Sequence, residues 1–139
     1  MRVFLDANIL ISVLNKEYPL FPYTARLLSL TRYSQFSLIT SPVCLAIAFY
    51  FAEKKHGTTM ARNKIALLLE HIKIANCGEK ETKMAIQNKQ AHDFEDALQY
   101  YCALHAGCEH IITNDLNDFY FAQIEVLTPE AFLMRYVTR

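Results

Sequence analysis

The stretch His92–Phe119, HDFEDALQYYCALHAGCEHIITNDLNDF, constrains the fold more than any other part of the chain. It holds six carboxylates (Asp93, Glu95, Asp96, Glu109, Asp115 and Asp118) and no Lys or Arg, although the whole sequence has 14 basic and 14 acidic residues. The order of its parts is equally informative. Acids open an apolar helical segment from Ala97 to Ala106, Gly107 supplies a turn, the β-branched run Ile111-Ile112-Thr113 follows, and more acids close the unit. A helix, a Gly turn and a short β-branched strand make half of an α/β unit, here with carboxylates at its ends. Another acid, Asp6, comes directly after the apolar strand Val3-Phe4-Leu5. Open parallel sheets bind ligands beyond the carboxyl ends of their strands, and Asp6 and Asp115 are both expected there. Clustered carboxylates in such a crevice suit a hard divalent cation.

The remaining segments alternate in the same way. Arg2 to Asp6 reads as a buried strand, and Asn8 to Asn15 as a short apolar helix capped by Asn8. Tyr18-Pro19 and Phe21-Pro22 interrupt the pattern before an amphipathic helix from Tyr23 to Tyr33. Phe36 to Thr40 predicts a second strand, and Ser41-Pro42 is an N-cap followed by Pro at the first helical position, opening a helix to about Lys55. That helix is apolar on almost every side until Glu53, so it is expected to be buried or to pack against another chain. Gly57-Thr58 leads into a helix from Thr59 to about His71, Ile72 to Asn76 into a third strand, and Glu79 to Gln90 into a polar surface helix. Ile124 to Leu127 predicts a last strand, and Thr128-Pro129 caps a final helix reaching Val137. About five short parallel strands flanked by helices, with no linker or repeat, imply an α/β fold in three layers and one domain spanning residues 1–139.

Composition narrows the function classes. A chain of 139 residues is long enough to bury roughly 68% of its unfolded surface without a staple. No apolar run reaches the ~20 residues of a membrane span and the N-terminus lacks a signal-peptide layout, so a cytoplasmic protein with no membrane partner is expected. Cys44, Cys77, Cys102 and Cys108 contain no C-x-x-C pair, which favours reduced thiols. Cys102, His105, Cys108 and His110 match no standard zinc spacing and read as core packing. Net charge is zero, yet Lys54 to Lys89 carries eight Lys/Arg against three Glu, and Gln90 to Met134 carries eight acids and no Lys/Arg. A basic rim beside an acidic site suits a polyanion held over metal ions.

Three pieces, F-L-D-A-N-I-L at Phe4 to Leu10, D-F-E-D-A-L at Asp93 to Leu98 and I-I-T-N-D-L-N-D-F at Ile111 to Phe119, together resemble the PIN domain, especially VapC-like toxins. The resemblance covers nearly the whole chain. It implies a ribonuclease dependent on Mg²⁺ or Mn²⁺, belonging to a toxin–antitoxin pair, with RNA as substrate and an antitoxin-like protein as partner. By motif position Asp6 is the metal ligand of the first strand and Asp96 that of the helix, while Asp115 and Asp118 share the last acidic loop. Asp6, Asp96 and Asp115 are then the catalytic carboxylates. Asn8 and Asn114, near the same strand ends, are placed to hydrogen-bond a ligand carboxylate or the substrate. One position departs from the family pattern: the helix after the second strand usually carries a Glu where S-P-V-C-L-A-I-A-F has Ile47. Glu53 lies on a different face and is a poor substitute.

Other readings of these residues shape the expectations. Asp93 reads as an N-cap by residue chemistry, and acids in a first helical turn gain about 0.3–1 kcal/mol each from the macrodipole, so Asp93 and Glu95 are assigned to helix stabilisation. Asp96 at the third helical position can turn inward, with Ala97 leaving space. Asp6 is the hardest to explain structurally, because a carboxylate closing a buried strand is costly without a partner. Tyr100, Tyr101 and Tyr120 read as core or rim aromatics. The missing acid at Ile47 supports an alternative function, a degenerate PIN-like module that binds RNA or protein without cutting. A phosphotransfer domain with Asp6 as nucleophile ranks last, since such enzymes need an Asp where Asn8 stands. The apolar helix from Pro42 leads to the expectation of a homodimer.

Overall fold

The strand that carries the fully buried Val3, Phe4 and Leu5 sits at the centre of the sheet, and the sheet extends from it in both directions. The computed structural model describes residues 1–137. In chain order its elements are β1 (Arg2–Leu5), α1 (Ala7–Asn15), α2 (Phe21–Ser29), β2 (Ser37–Thr40), α3 (Pro42–His56), α4 (Thr58–Leu69), β3 (Lys73–Ile74), α5 (Glu79–Gln87), α6 (Phe94–His105), β4 (His110–Ile112), β5 (Glu125–Leu127) and α7 (Pro129–Tyr136), with 3-10 turns at Leu30–Arg32 and Leu116–Phe119. The sheet order is β3-β2-β1-β4-β5, and every pairing is parallel. Val3, Phe4 and Leu5 are fully buried, as a central strand covered on both faces requires. The sheet therefore grows one way through β2 and β3 and the other way through β4 and β5. The reversal falls between β1 and β4, where a doubly wound sheet opens its ligand crevice.

The local signals explain most boundaries. Ser41 caps α3 by accepting a hydrogen bond from the Cys44 N–H, and Thr128 caps α7 by accepting one from the Ala131 N–H, each with Pro in the first turn. Gly107 takes a φ of +75°, a left-handed conformation that lets the chain turn out of α6 into β4. All four cysteines are free thiols, three of them buried.

Three expectations change. The cap of α1 is Asp6, which accepts from the Ala7 N–H, and not Asn8, whose side chain is drawn away to other partners. The third strand shrinks to two residues at the sheet edge, and the long helix α3 is not buried all round. Its buried residues are Cys44, Ala48 and Ala52, a stripe at i, i+4, i+8 that packs against α1 and α4, while Tyr50 and Phe51 remain 54% and 43% exposed. Small residues form the buried stripe of α3, Val43, Leu45, Ile47 and Phe49 pack partly buried beside it, and Tyr50 and Phe51 lie open.

Candidate active site

Asp6 sits in the crevice between β1 and β4. Its backbone N–H donates to the Ile112 carbonyl at 3.0 Å, which continues the β1–β4 ladder one step past the strand end. Its side chain is 7% exposed. One carboxylate oxygen, Oδ1, accepts from the Ala7 N–H at 2.8 Å and has the Cys44 Sγ at 4.0 Å. The other, Oδ2, accepts from the Thr113 hydroxyl at 2.9 Å and from the Asn8 amide at 3.3 Å. Burial raises the pKa of Asp6; the Ala7 N–H and the Thr113 hydroxyl oppose that, and the Asp118 and Asp115 charges add to it.

The other carboxylates come from two places. Asp96, at the third position of α6, is pushed up to about 7, by burial first and then by the charges of Asp118, Asp93, Asp6 and Glu95. Asp118 sits in the 3-10 turn after β4, and burial and then Asp115 raise its pKa. That turn is held by Phe119, 2% exposed. Asp115 is exposed, and its N–H donates to the Thr113 hydroxyl at 3.1 Å. Asp6 and Asp115 thus follow adjacent strands, tied through one threonine. Asn8 spans the same gap: its amide nitrogen donates to Asp6 and Thr113, and its Oδ1 accepts from the Asn114 N–H at 3.1 Å. The side chain of Asn114 is exposed at the rim.

Three residues belong to this arrangement that sequence reasoning left out or assigned elsewhere. Thr113 was readable only as a strand residue, although its place directly before Asn114-Asp115 was the available signal. Cys44 lies one turn past the Ser41 cap, so its thiol points back to the strand ends; burial and the Asp6 charge push its pKa up to about 12, so it is a neutral thiol at Asp6. Glu95 accounts for more than a helix start, because after burial and Asp93 the charges of Asp6 and Asp118 raise its pKa. Asp93 does act as the N-cap, accepting from the Glu95 N–H at 2.8 Å. Ile47 is half-buried on α3, one turn beyond Cys44. Glu53 is engaged with the Thr58 hydroxyl at 2.8 Å, at the far end of α3.

Several carboxylates raise one another's pKa here, on a segment from Gln90 to Met134 that carries no Lys or Arg, and a bound cation would relieve that repulsion. Among the described residues, however, no three His, Cys, Asp or Glu side chains are gathered closely enough to cage a metal ion. The donor set fits Mg²⁺ or Mn²⁺ held by one or two carboxylates and otherwise by water or phosphate oxygens, and it does not fit a closed protein cage. Asp6, Asp96, Asp115 and Asp118 are the carboxylates available to hold such an ion.

Comparison with known proteins agrees with this fold. A family model described as PIN domain matches residues 2–117. The chain is 30% identical to ribonuclease VapC1 of Aquifex aeolicus over 141 aligned positions, covering 99% of this chain and 96% of that protein. Among solved structures it is similar to VapBC-1 from nontypeable Haemophilus influenzae, with a TM-score of 0.71, 20% identity and coverage of 94% of this chain and 99% of that one. It is also similar to VapC20 of Mycobacterium tuberculosis, described as a sarcin-ricin loop cleaving toxin, with a TM-score of 0.69, 16% identity and coverage of 88% and 95%.

Proposed function

This chain belongs to the PIN domain family, and on that premise we propose that it is a Mg²⁺- or Mn²⁺-dependent ribonuclease, a toxin acting on RNA in the cytoplasm as one domain over residues 1–139, paired with an antitoxin-like protein. The observation that carries this reading is Asp6: a buried carboxylate at the β1–β4 crevice, disfavoured as an anion by its own surroundings and facing further acids. A fold tolerates such a group when a ligand repays its cost in the working state. The similarity to a ribonuclease of Aquifex aeolicus supports the substrate class.

Each residue then has a definite task. Asp6, Asp96 and Asp115 are the catalytic carboxylates, and Asp118 shares with them the binding of the cation. When bound, the cation supplies activation of water and relief of charge at the scissile phosphate. Thr113 ties the Asp6 carboxylate to the Asp115 backbone beyond the strand ends. Asn8 locks the β1 and β4 loops to each other, and Asn114 leaves its amide free toward substrate. No helix among the described residues is long and apolar enough to cross a membrane. The exposed Tyr50 and Phe51 of α3 support contact with a second copy of the chain.

The test is cleavage of a short single-stranded oligoribonucleotide. Wild-type protein should cut in Mn²⁺ or Mg²⁺ and stop in excess EDTA, and Asp6→Asn and Asp96→Asn should lose activity while keeping the wild-type circular dichroism spectrum. Undiminished cutting in EDTA would sink the metal-dependent reading.

A second reading, a binding module that does not cut, is favoured by the Ile47 departure. It predicts tight RNA or protein binding by wild-type protein that is unchanged in Asp96→Asn, with no cleavage at any Mn²⁺ concentration.

A further inference from the structure

The rim of the carboxylate site carries aromatic side chains that neither the core nor the metal site uses. His92 and Tyr120 stack with ring centroids 4.9 Å apart and planes inclined by 36°. Tyr120 is nevertheless 52% exposed, and Phe94 is 43% exposed. All three are adjacent to acids of the cluster: His92 and Phe94 flank Asp93, the cap of α6, and Tyr120 follows Asp118 by two residues. Phe119, between them, is the buried anchor of the turn, and the Phe121 ring meets Tyr120 edge-on at 5.8 Å. Tyr120 is thus fixed in place on one side while its other face is open. The segment before α6 and the turn after β4 bring the His92 and Tyr120 rings together, and Phe94 stands exposed at the start of α6.

The charge distribution bears on what these rings hold. The segment that bears these rings, Gln90 to Met134, supplies no Lys or Arg of its own to grip a phosphate backbone. Stacking of bases on aromatic rings is a sequence-tolerant way for it to hold a strand. We propose that His92, Phe94 and Tyr120 form a base-stacking platform for single-stranded RNA, which grips a base beside the phosphate addressed by the carboxylates. The inference rests on the ribonuclease reading and adds to it the feature that selects unpaired strands: a base can lie on the open face of Tyr120 only when it is not paired.

Steady-state cleavage and photocrosslinking test it. Losing one stacked ring should raise KM for a short single-stranded oligoribonucleotide in Mn²⁺ by about tenfold to a hundredfold. Tyr120→Ala should do this with kcat little changed, Tyr120→Phe should restore the wild-type KM, and Phe94→Ala should show a smaller rise. Irradiating wild-type protein with a 5-iodouridine oligonucleotide should place the crosslink on the peptide carrying His92 and Phe94 or on that carrying Tyr120. Thermal melts establish that each variant is folded, and His92→Ala stands in if Tyr120→Ala is not. A wild-type KM in Tyr120→Ala would overturn the platform. So would crosslinks confined to Tyr23, which lines a cavity of about 400 Å³ on the other side of Asn114. If wild-type protein neither cuts nor crosslinks RNA, the ribonuclease reading itself fails, whereas cutting that is indifferent to Tyr120 removes the platform alone.

Discussion

Asp6 and Ile47 are the two residues on which the chemistry turns, and they fail in opposite ways when changed. Asp6 is held by three donors yet its pKa is raised, chiefly by burial, so its ionised form costs stability in the metal-free protein. Asp6→Asn keeps the Ala7 bond but sets an amide NH2 against the Thr113 and Asn8 donors, which offsets the relief of the buried charge. Its decisive readout is metal: it should lose the rise in Tm that Mn²⁺ gives wild type. Ile47 is half-buried one turn past Cys44, whose sulfur lies 4.0 Å from Asp6 Oδ1. A carboxylate there adds a like charge to a desolvated cluster. Ile47→Glu should lose about 1–3 kcal/mol in EDTA. Saturating Mn²⁺ should return about 2.7 kcal/mol at a hundred times Kd. Destabilisation that metal does not rescue would remove residue 47 from the site. Asp6 could be found in the sequence because a carboxylate closing a buried strand has few innocent explanations. Thr113 and Cys44 could not, because a threonine after a β-branched run and a cysteine in an apolar helix have many.

At the level of elements, the alternation of strands and helices was legible wherever a period or a cap marked it, which is why β1, α3, α6 and α7 fall close to where the pattern put them. What the pattern cannot carry is a 3-10 turn. Leu116–Phe119 has no periodicity, and its position follows from Phe119 reaching the core and the Asp118 N–H donating to the Asp115 carbonyl at 3.2 Å. The same limit hid the face of α3, since an all-round apolar helix gives no moment and only the neighbours decide that Cys44, Ala48 and Ala52 go inward. Ala48 is fully buried where α3 packs against its neighbours. Ala48→Leu should therefore overpack and cost about 1–3 kcal/mol, read as a lower Tm with and without metal alike. The end of α1 offers the reverse. Lys16 closes that helix at φ 52° with no glycine to relieve it. Lys16→Gly should raise stability by a few tenths to about 1 kcal/mol, and a fall in Tm would show that the lysine side chain contributes something the left-handed backbone does not outweigh.

Across the whole molecule, the acids of one end act together on stability, and the sign of their effect follows from the direction of their shifts. Asp6, Glu95, Asp96 and Asp118 all have raised pKa values, burial being the first cause in each, and Asp96 lies at about 7 against an ordinary 3.8. Between those two values the folded state holds a proton on Asp96 that the unfolded chain has released. Stability from this group is therefore greatest at low pH, falls as pH rises through the window from about 4 to 7, and is spent above it. Glu81 has the opposite sign: its hydrogen bond with His105 lowers its pKa from 4.5, so its contribution is lost only as pH falls below that value. Above pH 5 the acidic end governs the pH dependence. In EDTA the Tm should then drop from pH 5.5 to pH 8, and Asp96→Asn should flatten the drop. A divalent cation competes with those protons, so Mn²⁺ should raise the Tm more at pH 8 than at pH 5.5, with the larger gain lost in Asp96→Asn. A metal-induced rise independent of pH would mean that the cation binds away from the buried carboxylates, and the site built around Asp6 would have to be abandoned.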